Sequence, residues 1–406
     1  MATTDPRAEA FDPFAEYPAY TGIRNDVDPE RFGLADLVDA VNVDLDDRGR
    51  PKRRAGSARV HSIVGGAHSL YAPETGDPIL FTEGATLKRL APDLATSSAL
   101  ATVTTGARRA YAEHAGRVYS VNGFEPLVIE NGAARRWGIA PPAGVTAQAA
   151  GGQLPAGRYL YTATYLAADG RESGALPAEA IDIAGGGITV AIPDSDDPQV
   201  VAKCVYCSTT NGEALYEAGI TSAASLTFSD TTARLQRPIT TLHCAPPPAS
   251  ATEIAIYRGT AFVAAGPVVF PSEPFSLEHF RGDRLWPLPD AVTLLAPAED
   301  GLYISTERET LWFGGATVDD MSVVRRHGVG AVRGSLAMVP AGDLKVAQGE
   351  APVPVWLSAA GLVAGLPGGT LVNLSHQWRF DAPAAGASVF FQGANGSRLI
   401  TTFHGA

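Results

Sequence analysis

The feature that most constrains this chain is a unit that recurs along it: a short apolar strand, a turn, a second strand with an aromatic near its end, another turn and a third strand. It stands in Ser69-Leu70-Tyr71 with Ile79-Leu80-Phe81 and Leu87-Lys88-Arg89-Leu90, and again in Arg109-Ala110-Tyr111-Ala112, Gly116-Arg117-Val118-Tyr119-Ser120 and Leu127-Val128-Ile129. Later copies lie at Ile254-Ala255-Ile256-Tyr257 with Ala261-Phe262-Val263-Ala264, and at Gly301-Leu302-Tyr303-Ile304-Ser305 with Thr310-Leu311-Trp312-Phe313. Two more follow: Val355-Trp356-Leu357-Ser358 with Gly361-Leu362-Val363-Ala364, and Ser388-Val389-Phe390-Phe391 with Arg398-Leu399-Ile400-Thr401. Three or four strands recurring at about 40 residues are the sequence mark of propeller blades, because each small sheet buries its apolar faces only against copies of itself. The expectation is an all-β protein, a β-propeller of about six blades. A pair of β-sandwiches with coincidental similarity is the alternative. The 43 glycines and 30 prolines fit many short strands joined by turns.

The repeats break between Pro141-Pro142 and Pro246-Pro247-Pro248, which look like paired linkers around an insertion. Within it, Tyr159, Tyr161 and Tyr165 fall two or four residues apart and share one face of a strand. Further strands at 188–192, 202–207 and 226–228 fit an immunoglobulin-like or fibronectin-like sandwich. The organisation expected is an N-terminal arm over 1–20, the propeller's first part over 21–142, the inserted domain over 143–248 and the propeller's second part over 249–406. Leu34, Leu37, Val38 and Val41 predict a short connecting helix over 32–41. Residues 42–54, with an Asp/Gly turn, predict a hairpin whose second strand is basic.

Charge and cysteine content exclude some functions. A net charge of -12 argues against general affinity for DNA backbones or anionic membranes, which demand clustered positive charge. Three cysteines in 406 residues make no disulfide framework and point to folding in a reducing compartment. The first 14 residues carry charges and prolines without an apolar run, so neither a secretory signal nor an anchor is expected there. Apolar stretches such as 261–270 are short of the roughly 20 residues a membrane helix needs.

No catalytic, cofactor-binding or metal residues are assigned, and no cofactor is expected. Ser305-Thr306-Glu307-Arg308-Glu309-Thr310-Leu311-Trp312 is similar to the Ser-x-Asp-x-Gly-x-x-Trp turn of sialidase-like propellers, but Glu307 and Glu309 replace the turn-forming Asp and Gly, so it reads as blade architecture. Arg48-Gly49-Arg50-Pro51-Lys52-Arg53-Arg54 is similar to an AT-hook, whose arginines enter the minor groove; standing alone in a hairpin, it reads as a solvated strand. Cys204 and Cys207, with His243-Cys244, have zinc-like spacing, yet residues three apart on a strand face opposite ways, so buried thiols are expected. Asp194-Ser195-Asp196-Asp197 lacks the ligand spacing of a calcium loop and reads as a turn. In the N-terminal arm, Phe11, Phe14, Tyr17 and Tyr20 are aromatic anchors in a proline-broken segment and are the candidate interface residues, expected to dock on a blade or a neighbouring subunit.

An ordered set of motifs resembles the tail nozzle proteins of short-tailed bacteriophages, the tail tubular protein B-like family. Asp39-Ala40-Val41-Asn42-Val43-Asp44 with Gly49 and Arg53-Arg54-Ala55-Gly56 resembles its opening hairpin. Gly157-Arg158-Tyr159-Leu160-Tyr161 with Asp169-Gly170-Arg171-Glu172-Ser173 resembles the start of its inserted domain. Tyr257-Arg258-Gly259, Ser272-Glu273-Pro274-Phe275, Asp300-Gly301-Leu302-Tyr303-Ile304-Ser305-Thr306, Asp319-Asp320-Met321 and Ser358-Ala359-Ala360-Gly361-Leu362 follow in order. The resemblance spans most of the chain from Gly22 onward. It implies a non-enzymatic virion protein, assembled in the bacterial host cytoplasm and resident in the tail. Its partners would be copies of itself in a ring, expected to be a hexamer, the portal and adaptor proteins and other tail proteins. Duplex DNA would pass through without tight binding, and no membrane would be involved. A glycan-binding or sialidase-like propeller is the alternative function.

Overall fold

The computed structural model describes residues 19–404 apart from 47, 55, 57, 64, 74–77, 231–236, 345, 348, 350, 376, 379, 380, 382, 394 and 395. Two-residue turns set the first level of structure. In Ala115-Gly116 and Asn131-Gly132 both central residues take positive φ, the twist that lets a tight turn join antiparallel strands. Such hairpins link Ala110–His114, Arg117–Val121, Leu127–Glu130 and Ala133–Arg136 into one four-stranded meander.

Among the described residues this is the second of five such meanders. The first runs over Ala67–Tyr71, Ile79–Glu83, Thr86–Leu90 and Ser97–Thr102. The third is built on Glu253–Tyr257, Thr260–Ala265, Val268–Glu273 and Ser276–Arg281, with Cys244–Ala245 added at its outer edge. The fourth comprises Val292–Ala298, Gly301–Thr306, Thr310–Gly314 and Ser322–His327. The fifth comprises Ala337–Val339, Val353–Ser358, Gly361–Leu366 and Thr370–Asn373, and the hairpin Ala385–Gly393 with Gly396–His404 follows it.

Strand alternation sends each meander's side chains into two different seams, and that makes the array a propeller. Leu80 and Leu87 of the first blade pack with Val118, Leu127 and Ile129 of the second. The intervening second-blade residues Tyr119, Val121 and Val128 instead meet Ile254, Ala261 and Val263 of the third. Phe262 and Val269 meet Leu302, Leu311 and Phe313 of the fourth blade. Tyr303 and Trp312 turn the other way, onto Trp356 and Val363 of the fifth. Val353 and Val355 take Phe390 and Leu399 of the last hairpin. In the second, third and fourth blades the first strand is innermost, as contacts between the strands opening at Ala110, Glu253 and Val292 show.

The N-terminal segment meets the C-terminal one. The hairpin Val43–Leu45 with Pro51–Arg53 places Asp44 2.8 Å from Arg398, and the Asn25 amide donates to the Gln377 carbonyl. Among the described residues there is no α-helix, which corrects the helix expected over 32–41. There, Asp36–Leu37 pairs in parallel with Gly22–Ile23, and the Asp36 carboxylate accepts from the Gly33 amide. Leu34, Val38 and Val41 are 84%, 69% and 76% exposed, so helical spacing had no surface to bury against and a side-chain-closed turn prevailed.

Between the second and third blades stands a β-sandwich. One sheet orders Thr146–Leu154, Gly186–Ala191 and Ser225–Phe228; the other orders Glu179–Ile183, Gly157–Ala167, Val200–Ser208 and Leu215–Thr221. Tyr159, Tyr161 and Tyr165 do share one face, which forms the core with Ile188, Val190 and Val205.

Candidate functional site: the axial end of the propeller

The inner strands of the blades begin at one end of the axis, and charged residues gather there. Glu253 opens the third blade's inner strand, is 6% exposed, and accepts from Arg108 Nη1 at 2.9 Å. Arg333, in the crossing from the fourth to the fifth blade, lies 3.3 Å from the same carboxylate oxygen and donates to the Val292 carbonyl at 2.8 Å. The Gly386 amide in turn donates to the Arg333 carbonyl. A Cβ at Gly334 would lie 2.4 Å from the Gly386 carbonyl and 2.9 Å from Arg108 Nε, and its φ of 83° is itself glycine-favouring. Arg108 precedes the second blade while Gly334 precedes the fifth, so this contact crosses the axis. One carboxylate and two guanidiniums thus tie together sectors of the propeller that share no sheet. Burial pushes the Glu253 carboxyl up, and Arg108 and Arg333 pull it back.

A second polar group lies beside it in the first-to-second-blade seam. Arg109 is 2% exposed and donates from Nη1 to Ser120 Oγ and the Glu125 carbonyl, both at 3.0 Å. Burial lowers its basicity, opposed by Tyr111 and Glu125. The Glu125 carboxylate is occupied by Thr104 and Asn122.

A third assembly clamps the sandwich to the propeller. Glu278 of the third blade takes Arg135 of the second at 2.7 Å and Arg171 of the sandwich at 3.2 Å. His279 Nε2 lies 2.8 Å from the Glu172 carbonyl, and the Glu172 carboxylate receives Tyr206 and Arg237. A Cβ on Gly174 would fall 1.7 Å from the Cys244 carbonyl, so sandwich backbone and propeller strand touch directly. The hollow lined by Pro142, Val145, Tyr161, Leu176 and Glu179 has a volume of about 30 Å³, room for a single water.

The motifs singled out in the sequence fall as follows. Phe11, Phe14 and Tyr17 lie outside the described residues; Tyr20 is half-buried, its amide donating to the Gly49 carbonyl. In the basic hairpin, Arg50 pairs with Asp46 at 2.7 Å and Arg54 with Asp44 at 3.0 Å. Cys204 and Cys207 face different cores, and Cys244 lies apart, donating to the Leu242 carbonyl. Burial pushes the Cys204 thiol up to about 12 and the Cys244 thiol up to about 11. Asp194 pairs with Lys203 at 2.6 Å. In the 305–312 turn, Ser305 and Thr310 bond each other at 2.8 Å and Thr306 caps the Glu309 amide, while Trp312 is buried between blades. Sequence reasoning passed over Arg108, Arg109, Glu253 and Arg333; their only local signal is a charge at or just before the inner strand of a blade.

The fold and this axial end define a class: an all-β propeller with an inserted β-sandwich, its axis mouth bridged by its own side chains. No family model matches the chain, and no curated protein matches it. Among solved structures it is similar to apo AztD from Citrobacter koseri, with 12% identity over 84% of this chain and 90% of that one, at a TM-score of 0.28. BBS1N in complex with ARL6DN shows 9% identity over 85% and 94%, at a TM-score of 0.32. An extracellular domain of the putative hybrid two component system BT4673 from B. thetaiotaomicron shows 12% identity over 71% and 37%, at a TM-score of 0.26. Likenesses at this level carry nothing about ligand or partner.

Proposed function

We propose that this chain is a structural protein of a phage tail, assembled in the host cytoplasm as a ring of its own copies that continues the DNA channel below the portal and adaptor. The observation that carries the reading is the bridged axis. Arg108, Glu253, Arg333 and the Gly334–Gly386 approach fill the mouth at which a propeller would otherwise receive a ligand, leaving a solid wedge suited to side-by-side packing. The DNA path in this reading lies at the centre of the ring and not along a propeller axis. The net charge of -12 per chain, summed over a ring, repels phosphates, and the hairpin's Arg50 and Arg54 are already paired with acids. The ordered motifs that resemble those of tail nozzle proteins support this identity for the assembly.

The test sets this reading against the glycan-directed one. A glycan array and a fluorogenic glycoside panel stay silent if the chain is a tail scaffold; saturable binding or turnover in either contradicts it. A salt-dependent titration with duplex DNA is expected to show negligible binding even at low salt. Tight binding that disappears when Arg50, Lys52, Arg53 and Arg54 are changed to serine would restore the hairpin as a DNA contact.

A further inference from the structure

Several buried polar side-chain atoms gather in one seam. Arg109 Nε and Nη2 and His68 Nε2 stand in the seam between the first two blades, beside the Tyr111 and Thr82 hydroxyls, which are close enough to bond each other and have no further partner. Their grouping follows from the strands. His68 and Thr82 are cross-strand partners on the first blade, and Tyr71 beside them stacks on Tyr111 of the second at 4.8 Å. Tyr111 is the cross-strand partner of Ser120, which Arg109 holds through Nη1. His68 Nδ1 lies 2.9 Å from Ser69 Oγ, the atom that accepts the Arg109 amide at 2.8 Å. The seam's apolar part, with Leu80, Val118 and Ile129, closes the other side.

The chemistry of these atoms leans towards donation. Guanidinium nitrogens only donate, one of the two bonded hydroxyls keeps a proton to give while the other accepts, and the imidazole nitrogen donates in the suitable tautomer. Nε and Nη2 form one edge of the planar guanidinium, the edge that grips an anion with two parallel hydrogen bonds. Arg109's charge is incompletely answered: the Glu125 carboxylate approaches Nη2 only to 3.7 Å, is 33% exposed, and is held by Thr104 and Asn122. Burying a charge without a close counter-ion is costly, and a small anion at that edge would remove the cost. Burial keeps the Tyr111 phenol protonated, pushed up to about 12, so it remains a donor across the neutral range.

We propose that the seam between the first and second blades is a built binding site for a small monovalent anion of halide size, held by the Nε/Nη2 edge of Arg109 with Tyr111, Thr82 and His68 around it. The anion serves as a structural counter-ion that locks the two blades together beside the axial plug. This site is independent of the tail assignment.

Bromide is the probe. Crystals of the full chain grown in bromide are expected to show an anomalous peak against the Arg109 edge, displaced when chloride is restored. In solution, the melting temperature at fixed ionic strength should rise with bromide or chloride and stay flat with a bulky organic anion. Tyr111→Phe keeps the ring stack and removes one donor, and should raise the halide concentration for half-effect at least about tenfold, the worth of one hydrogen bond to a charged group. Arg109→Met should abolish the response. A water in place of the peak, or a wild-type melting temperature indifferent to which anion is present, would overturn the proposal even if the Arg109 variant failed to fold.

Discussion

Glu253 is the residue on which the axial end turns. Two guanidiniums within 3.3 Å share it in a nearly solvent-free position, so neutralising it leaves two cations facing each other. Glu253→Gln should lower unfolding stability by about 3 kcal/mol, the usual consequence of removing one member of a buried ionic group, read by denaturant titration. An unchanged midpoint would mean that the plug contributes nothing. Glu125 sets a pH dependence nearby. Burial pushes its carboxyl up, but hydrogen bonds from Thr104 and Asn122 and the charge of Arg109 outweigh that and hold it below its ordinary 4.5. A carboxylate with a depressed folded-state pKa stabilises above its unfolded value, and that share is lost as pH falls through the folded one. Stability should therefore drop on acidification below about 4.5, more steeply in the wild type than in Glu125→Gln; identical acid limbs would refute the assignment. None of this was visible in the sequence, because Arg108 and Glu253 lie 145 positions apart and nothing local marks them as partners.

At the scale of elements, the strands were legible and one segment was not. Runs such as Arg117–Val121 and Gly301–Thr306 alternate between two seams, and their tight turns are written in adjacent Asn, Gly and Asp residues, so period and punctuation agree. The tyrosines of Gly157–Ala167 were equally readable, since three large side chains on one face leave a strand no other core to fill. Residues 32–41 failed because apolar spacing describes a face and says nothing about a partner for it. The clamp between sandwich and propeller rests on a close approach that no spacing reveals. A methyl group at Gly174 would collide with the Cys244 carbonyl, so Gly174→Ala should cost about 1–3 kcal/mol. Hydrogen exchange should then quicken at Cys244–Ala245 while the fourth blade, remote from the junction, keeps its protection. Uniform loss of protection throughout would show that sandwich and propeller unfold as one unit.

For the whole molecule, the seams make a chain of dependencies: from the second blade to the fifth, each buries one face against the blade before it and the other against the blade or hairpin after it, so the array is rigid only as a unit. The axial plug adds ties across that array, and the Glu278 and Gly174 contacts fix the sandwich to its rim. The proposed function takes this body as a unit for repeated lateral packing. The most direct measurement is electron microscopy of the purified chain, alone and with a portal-adaptor complex. The account predicts closed rings with an open central channel, formed alone or on the portal-adaptor complex. Class averages showing only single propellers in both samples, at concentrations well above those of an assembled tail, would contradict it.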